Sequence, residues 1–122
     1  MKKLLIYFSI IILSVVVVKI YSNNKKKVMI GVYLKSNNES NIIIAEDNGP
    51  IVMYNKTGKE NIFDNLKSGD KIRITYDSIM ETYPARTQIY SCKLIEKGTL
   101  DNIPKDTLNK LQEMGWTFDL SN

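Results

Sequence analysis

Carboxylates are the side chains of this 122-residue chain best suited to acid–base chemistry, because the sequence contains no histidine. Histidine is the commonest general base near neutral pH and a frequent zinc ligand, so its absence argues against triad hydrolases and zinc centres. Two carboxylates flanking a groove could still hydrolyse a glycoside. The candidates are Glu46, Asp47, Asp70, Asp77 and Glu81. Acidic residues are mostly solvated surface groups, so we predict no catalytic, cofactor-binding or metal-binding residue.

Cys92 is the only cysteine, which excludes an intramolecular disulfide. It lies within a predicted strand and has no histidine to activate it. We therefore predict a buried thiol that packs as a small apolar side chain.

The residues best suited to contact a ligand or a partner lie in a predicted loop over Ser78–Arg86. Methionine, tyrosine and arginine are enriched at interfaces. The candidate contact residues are Met80, Tyr83, Pro84 and Arg86. In the alternative interpretation, Tyr83 and Pro84 close the mouth of the domain, with the ring packed on Tyr76 or Trp116.

Short apolar runs separated by turn residues predict the strands that position this loop. The first is an alternation of Val28, Ile30, Val32 and Leu34 with Met29, Gly31, Tyr33 and Lys35. The other predicted elements are strands over 42–45, 51–54, 71–77 and 87–96, a helical turn over 61–66, and a helix that begins near Pro104 and ends at Gly115. The apolar residues of the last strand change phase once, which indicates a bulge. Trp116, Phe118 and Leu120 are predicted to cap the domain or to pair with a strand edge.

This element order predicts a mainly β fold, a small five-stranded OB-like Greek-key barrel with a C-terminal helix. An SH3-like barrel is the alternative. OB barrels usually bind ligands on the face of strands two and three and on two flanking loops, which here are Ser36–Ser40 and Ser78–Arg86.

A hydrophobic N-terminal helix is predicted before the barrel. Residues 1–21 have the charged start and apolar run of a signal anchor or a signal peptide, and residues 22–27 form a lysine-rich linker to a domain over 28–122, whose tail begins at about 101. The apolar run is short for a membrane span, and no small-residue cleavage site follows it. We therefore expect contact with the membrane through residues 4–21 and a domain outside the cytoplasm, or secretion if the leader is cleaved.

The basic charge of the chain belongs to this leader. Six of the 17 basic residues and none of the 13 acidic residues lie in the first 27 positions, so residues 28–122 carry a net charge of −2. Nucleic-acid binding requires clustered lysine and arginine, so we predict no nucleic-acid partner.

Two short motifs resemble those of a known family. Gly69-Asp70 precedes an alternating strand, and Tyr83-Pro84-Ala85 follows it. This joint spacing resembles the YobA-like domains of unknown function, which occur in secreted and lipoprotein chains of Gram-positive bacteria. The resemblance covers Val28 to Glu96 and implies an exported barrel without an established activity. The chain lacks a lipid-attachment cysteine, and Arg86 stands where such domains more often have glutamine.

Together these features predict an envelope-exposed, non-catalytic binding or interaction module that contacts a protein or cell-wall ligand through Ser78–Arg86. A structural accessory subunit of a membrane complex, acting through its leader helix, is the alternative. A carboxylate-dependent hydrolase is the third hypothesis.

Overall fold

The computed structural model describes residues 26–47 and 49–121. The predicted hydrophobic helix over 1–21 and most of the linker lie outside this range. Among the residues described, no helix has both the length and the apolar character needed to cross a bilayer.

Five strands form a closed barrel in the order β1-β2-β3-β5-β4. The strands are β1 (Lys27–Lys35), β2 (Asn41–Ala45), β3 (Gly49–Asn55), β4 (Lys71–Met80) and β5 (Ala85–Glu96). β3 and β5 pair in parallel, and the other neighbouring strands pair antiparallel. One α-helix, α1 (Lys105–Glu113), follows the barrel. The predicted OB-like barrel with a C-terminal helix is confirmed.

The barrel interior is lined mainly by aliphatic side chains and by one tyrosine. Its buried residues are Met29, Tyr33, Ile43, Ala45, Ile51, Met53, Ile72, Ile74 and Ile89. The alternation predicted for β1 is present, but the set that points inward contains Met29, Gly31 and Tyr33. A Cβ at Gly31 would lie 2.6 Å from the carbonyl oxygen of Ile44, so only glycine allows the two strands to approach here.

The helical turn predicted between β3 and β4 is present and packs against the barrel interior. Its Phe63 ring stacks on Tyr33, with centroids 6.1 Å apart, and the Leu66 amide donates to the Phe63 carbonyl oxygen. Burial raises the pKa of the Tyr33 hydroxyl, which donates a hydrogen bond to Asn41 Oδ1.

The β4–β5 hairpin is longer than the sequence predicted. β4 continues to Met80 and β5 starts at Ala85, so most of the predicted loop is strand and the connection is only residues 81–84. The predicted bulge is present, because register shifts interrupt the pairing of the two strands near Tyr76 and near Lys71. The bulges let the strands bend and extend past the barrel wall.

A second apolar core lies outside the barrel, beneath the C-terminal segment. The outward side chains of Leu34, Ile42, Ile44 and Val52 form what we call the covered face, and Ile103, Leu111 and Phe118 pack on it. Phe118 also forms a bridge with Ser36, which confirms that the tail pairs at a strand end. β2 and β3 are therefore buried on both sides.

Two glycines join the barrel to this C-terminal segment. Cβ atoms at Gly69 and Gly98 would lie 2.0 Å from the carbonyl oxygens of Thr99 and Gly69, respectively, so the two backbones cross in contact. The adjacent Asp70 carboxylate accepts hydrogen bonds from the Lys67 and Gly98 amides at 2.8 and 3.0 Å. The Gly69-Asp70 motif is therefore a structural junction.

Candidate functional site

The tip of the β4–β5 hairpin is held by local hydrogen bonds. The Thr82 hydroxyl donates to the Pro84 carbonyl oxygen at 2.8 Å, and the Thr82 amide donates to that of Met80 at 3.0 Å. Below the tip, the buried Thr87 hydroxyl donates to the Ser78 carbonyl oxygen at 2.6 Å. The Tyr83–Pro84 peptide bond is cis. The three hydrogen bonds give the tip a defined shape from which its side chains project.

Met80 and Arg86 are brought together by the strand pairing. They lie directly opposite each other at the end of the hairpin, so their side chains leave the sheet on the same side. The Met80 side chain is 62% exposed, and Arg86 is also exposed. Arg86 further pairs with Val52 of β3, which places this cation where three strands meet.

Tyr83 faces the C-terminal helix. The Nζ of Lys110 lies 4.1 Å from the centroid of its ring, within the range of a cation–π contact. A Cβ placed on Gly49, at the start of β3, would lie 3.8 Å from the edge of this ring. The contact found for the ring is therefore with Lys110, whereas the alternative interpretation placed it on Tyr76 or Trp116. The ring remains 38% exposed.

We call Met80, Tyr83, Pro84, Arg86 and Lys110 the tip patch. It combines exposed apolar side chains with two cations, a combination that suits a partner with both apolar and anionic groups. Sequence reasoning missed Lys110, which is 24 or more residues from the other members. Its position on an exposed helix face carries no signal that it meets Tyr83, because only the packing of α1 on the barrel creates the contact.

The usual OB ligand face is occupied in this protein by its own C-terminal segment. Leu111, which is fully buried, belongs to the core that forms over β2 and β3. The first flanking loop is also engaged, because the Asn37 amide donates to the Thr117 carbonyl oxygen at 2.9 Å. The Ser36–Ser40 loop nevertheless keeps Asn37, Asn38 and Glu39 exposed, so this loop and the β4–β5 tip both remain accessible.

The five candidate carboxylates are dispersed. Asp70 is buried and bonded to backbone amides, while Glu46, Asp47 and Glu81 are exposed in turns. Asp77 is also exposed and accepts a hydrogen bond from the Tyr90 hydroxyl at 2.8 Å, which lowers the pKa of the Asp77 carboxyl. Within residues 26–47 and 49–121, no three acidic or cysteine side chains cluster closely enough to hold a metal ion.

Cys92 is half-buried and not fully buried as predicted; it packs against the interior core from β5. Burial raises the pKa of its thiol to about 11. A thiol with such a pKa is largely protonated at neutral pH and is a poor nucleophile.

A groove of about 950 Å³ runs between the outer side of β1 and the segment that leads into α1. Ile30, Val32 and Ile44 line it, and Lys71 and Glu96 are among its charged residues. It therefore has an apolar wall and charges of both signs at its border.

Comparison with known proteins gives one family. DUF3221, a protein family of unknown function, matches residues 24–96, more than half of the chain. The match ends at the last residue of β5, so it includes the whole barrel and excludes the segment that forms the outer core. No curated protein and no solved structure matches this chain. The chain belongs to the DUF3221 family of proteins of unknown function.

Proposed function

We propose that this protein is a non-catalytic binding module that acts outside the cytoplasm and contacts a protein or cell-wall ligand through the tip patch. The observation that carries the proposal is the exposure of Met80 and Tyr83 beside the cations Arg86 and Lys110, at the end of a hydrogen-bonded hairpin. Exposed methionine, tyrosine and arginine side chains on a shaped surface are typical binding anchors.

The tip patch also suits binding because part of it is already ordered, which lowers the loss of conformational entropy on association. Ordering flexible side chains on association costs about 0.5–1.5 kcal/mol for each one. The Tyr83 ring contacts Lys110, and the Thr82 and Thr87 hydrogen bonds hold the backbone beneath it. A partner would therefore meet a preorganised backbone and tyrosine ring at the hairpin tip.

The location of the protein is a separate part of the proposal. The leader over residues 1–21 supports an exported domain that stays tethered, in the manner of the YobA-like domains of Gram-positive bacteria that the barrel motifs resemble. Intact-mass measurement on the natively expressed protein tests retention of the leader, and protease access on intact cells tests the side of the membrane. Complete protection of the barrel from external protease would contradict the placement.

The tip patch is tested by a Tyr83→Ala, Arg86→Ala double variant. Both side chains are at least partly exposed, so we expect the variant to fold. Binding to purified Gram-positive cell walls and to detergent-solubilised envelope proteins should fall about tenfold or more, as expected when an aromatic and an arginine anchor are removed together. Sedimentation with the cell walls and cross-linking to the envelope proteins measure the two classes of ligand.

A Tyr54→Ala, Lys56→Ala variant is the matched control. It also removes one exposed tyrosine and one exposed cation, but at the opposite end of β3. Equal binding by the wild type and the tip variant would contradict the proposed site. Loss of function after residues 4–21 are replaced by an unrelated apolar anchor would instead favour an accessory subunit that acts through its leader.

A further inference from the structure

A second outer surface of the barrel combines exposed apolar and basic side chains. It lies on the outer sides of β1, β4 and β5, and we call it the tether face. Its residues are Val28, Ile30, Arg73, Thr75, Ser91 and Lys93. Val28 and Ile30 are 50% and 47% exposed, although they lie on a regular strand of the barrel. Ile30 also lines the groove beside the segment that leads into α1, but neither Val28 nor Ile30 belongs to the outer core that this segment forms on the covered face.

The pairing arranges these side chains in two rows. Ile30 lies opposite Arg73, which lies opposite Lys93, so one row places an apolar side chain beside two cations. Val28, Thr75 and Ser91 form the neighbouring row, in which the two hydroxyls are 2.8 Å apart. Like charges directly opposite each other on a sheet are destabilising unless an anion lies near them.

The chain enters the barrel along the edge of this surface. Lys26 Nζ lies 4.9 Å from the centroid of the Tyr90 ring, so the side chain of the residue before β1 reaches past β4 to β5. The acidic residues at the border are Asp77, which accepts the Tyr90 hydrogen bond, and Glu96, which lies opposite Lys71. The middle of the surface is therefore apolar and basic.

The few residues between the apolar run and β1 limit how far this surface can lie from the membrane. If residues 4–21 are held in a bilayer, residues 22–26, which precede β1, reach about 18 Å when fully extended. A barrel tethered so closely experiences a high effective concentration of the lipid surface. The tether face is the surface next to the attachment point.

We propose that the tether face lies on the membrane surface and binds anionic lipid headgroups. Arg73 and Lys93 contact the phosphates, while Val28 and Ile30 enter the headgroup region. This inference rests on the proposed tethering by residues 4–21, and it leaves the tip patch free for a separate partner.

The test uses the full-length chain in lipid nanodiscs, with a spin label at Ser91→Cys in a Cys92→Ala background. Nanodiscs of phosphatidylcholine alone are compared with nanodiscs that also contain phosphatidylglycerol. We expect collisions of the label with a water-soluble relaxation agent to become about tenfold rarer in the anionic bilayer, because anionic lipids attract the basic residues of the tether face. A label at Asn109→Cys, an exposed position of α1, should stay equally accessible in both bilayers.

Charge reversal supplies the matched variants. Arg73→Glu with Lys93→Glu should abolish the protection at position 91, whereas Lys56→Glu with Lys59→Glu, in the exposed loop after β3, should retain it. If the label at position 91 stays accessible in the anionic bilayer while the chain remains in the nanodisc, the proposed docking is wrong. The proposals for the tether and for the tip patch are unaffected by that result. Release of the chain from the nanodisc overturns the tether and the docking together.

Discussion

The covered face and the tether face are parts of the same barrel wall, but they differ in what lies over them. On the covered face, Ile44 and Val52 are buried beneath α1 and the tail. On the tether face, Ile30 has the same side chain as Ile44 and remains half exposed. An aliphatic residue that points out of the barrel therefore stabilises the fold only where a second layer covers it.

The burial patterns of the strands show the same difference between the two faces. β2 has four consecutive buried residues, Ile42 to Ala45, because it contacts apolar groups on both sides. β4 instead alternates over its first half, with Ile72 and Ile74 buried and Lys71 and Arg73 exposed. A run without alternation thus marks a strand between two layers, and an alternating one marks a strand with solvent outside. The contrast can be tested at single residues.

The largest expected effect is on the covered face. Leu111→Ala removes a fully buried side chain at the centre of the outer core, so the free energy of unfolding should fall by about 2–5 kcal/mol. For a domain of this size, the melting temperature should fall by about 10 °C or more. Thermal and urea unfolding followed by circular dichroism measure both quantities.

Met114→Ala is the control for this prediction. Met114 follows α1 and is about half exposed, so its truncation should change the free energy of unfolding by no more than about 0.5 kcal/mol. Equal losses from the two substitutions would show that the C-terminal segment is not a packed layer.

The second prediction concerns the barrel interior behind the tether face. With its pKa raised from 9.0 to about 11, the Cys92 thiol should react with iodoacetamide about 100-fold more slowly at pH 8 in the folded protein than in the unfolded chain. The folded protein holds the proton more tightly, so its stability is unaffected below pH 9 and decreases as the pH rises from 9 towards 11. Alkylation rates with and without urea, followed by mass spectrometry, check the first part.

A native rate equal to the unfolded rate would contradict the second prediction. It would mean that the interior is open to solvent behind the uncovered surface. The exposure of the tether face would then result from loose packing of the barrel on that side and not from the lack of a covering layer.

The smallest expected effect comes from one substitution made on both faces. Ile44→Val removes a buried methylene and should lower the free energy of unfolding by about 0.5–1.5 kcal/mol. Ile30→Val removes the same group from a half-exposed site and should change it by less than about 0.5 kcal/mol. Urea unfolding of the two variants gives the difference directly, and an equal loss would remove the distinction between the faces.

Much of the fold follows from local patterns. Alternation in β1 and β4, the turn residues after Ala45, and the helix between Pro104 and Gly115 all occur where the sequence predicts them. The inward side of β1 does not follow from its pattern, since both sets of residues contain large apolar side chains. It was decided by the close approach of β2, which accepts only glycine at position 31.

The candidate site was predictable in part. The residues of the tip were identified by type, but their setting was predicted as a long loop, because the β4–β5 register with its bulges depends on the partner strand. Lys110 was missed for a related reason, since the helix reaches Tyr83 only after it packs on the covered face.

The β-rich barrel, its C-terminal helix, the absence of histidine chemistry and the concentration of basic charge before the domain can all be predicted from the amino-acid sequence. Each of these depends on residue type and on spacing along the chain. The tertiary structure adds that the C-terminal segment packs on the usual OB ligand face, that the hairpin tip is exposed and that a basic, apolar surface lies beside the start of β1. Whether a surface is buried or exposed depends on contacts between segments that are distant in the sequence, so the sequence of either segment does not reveal it.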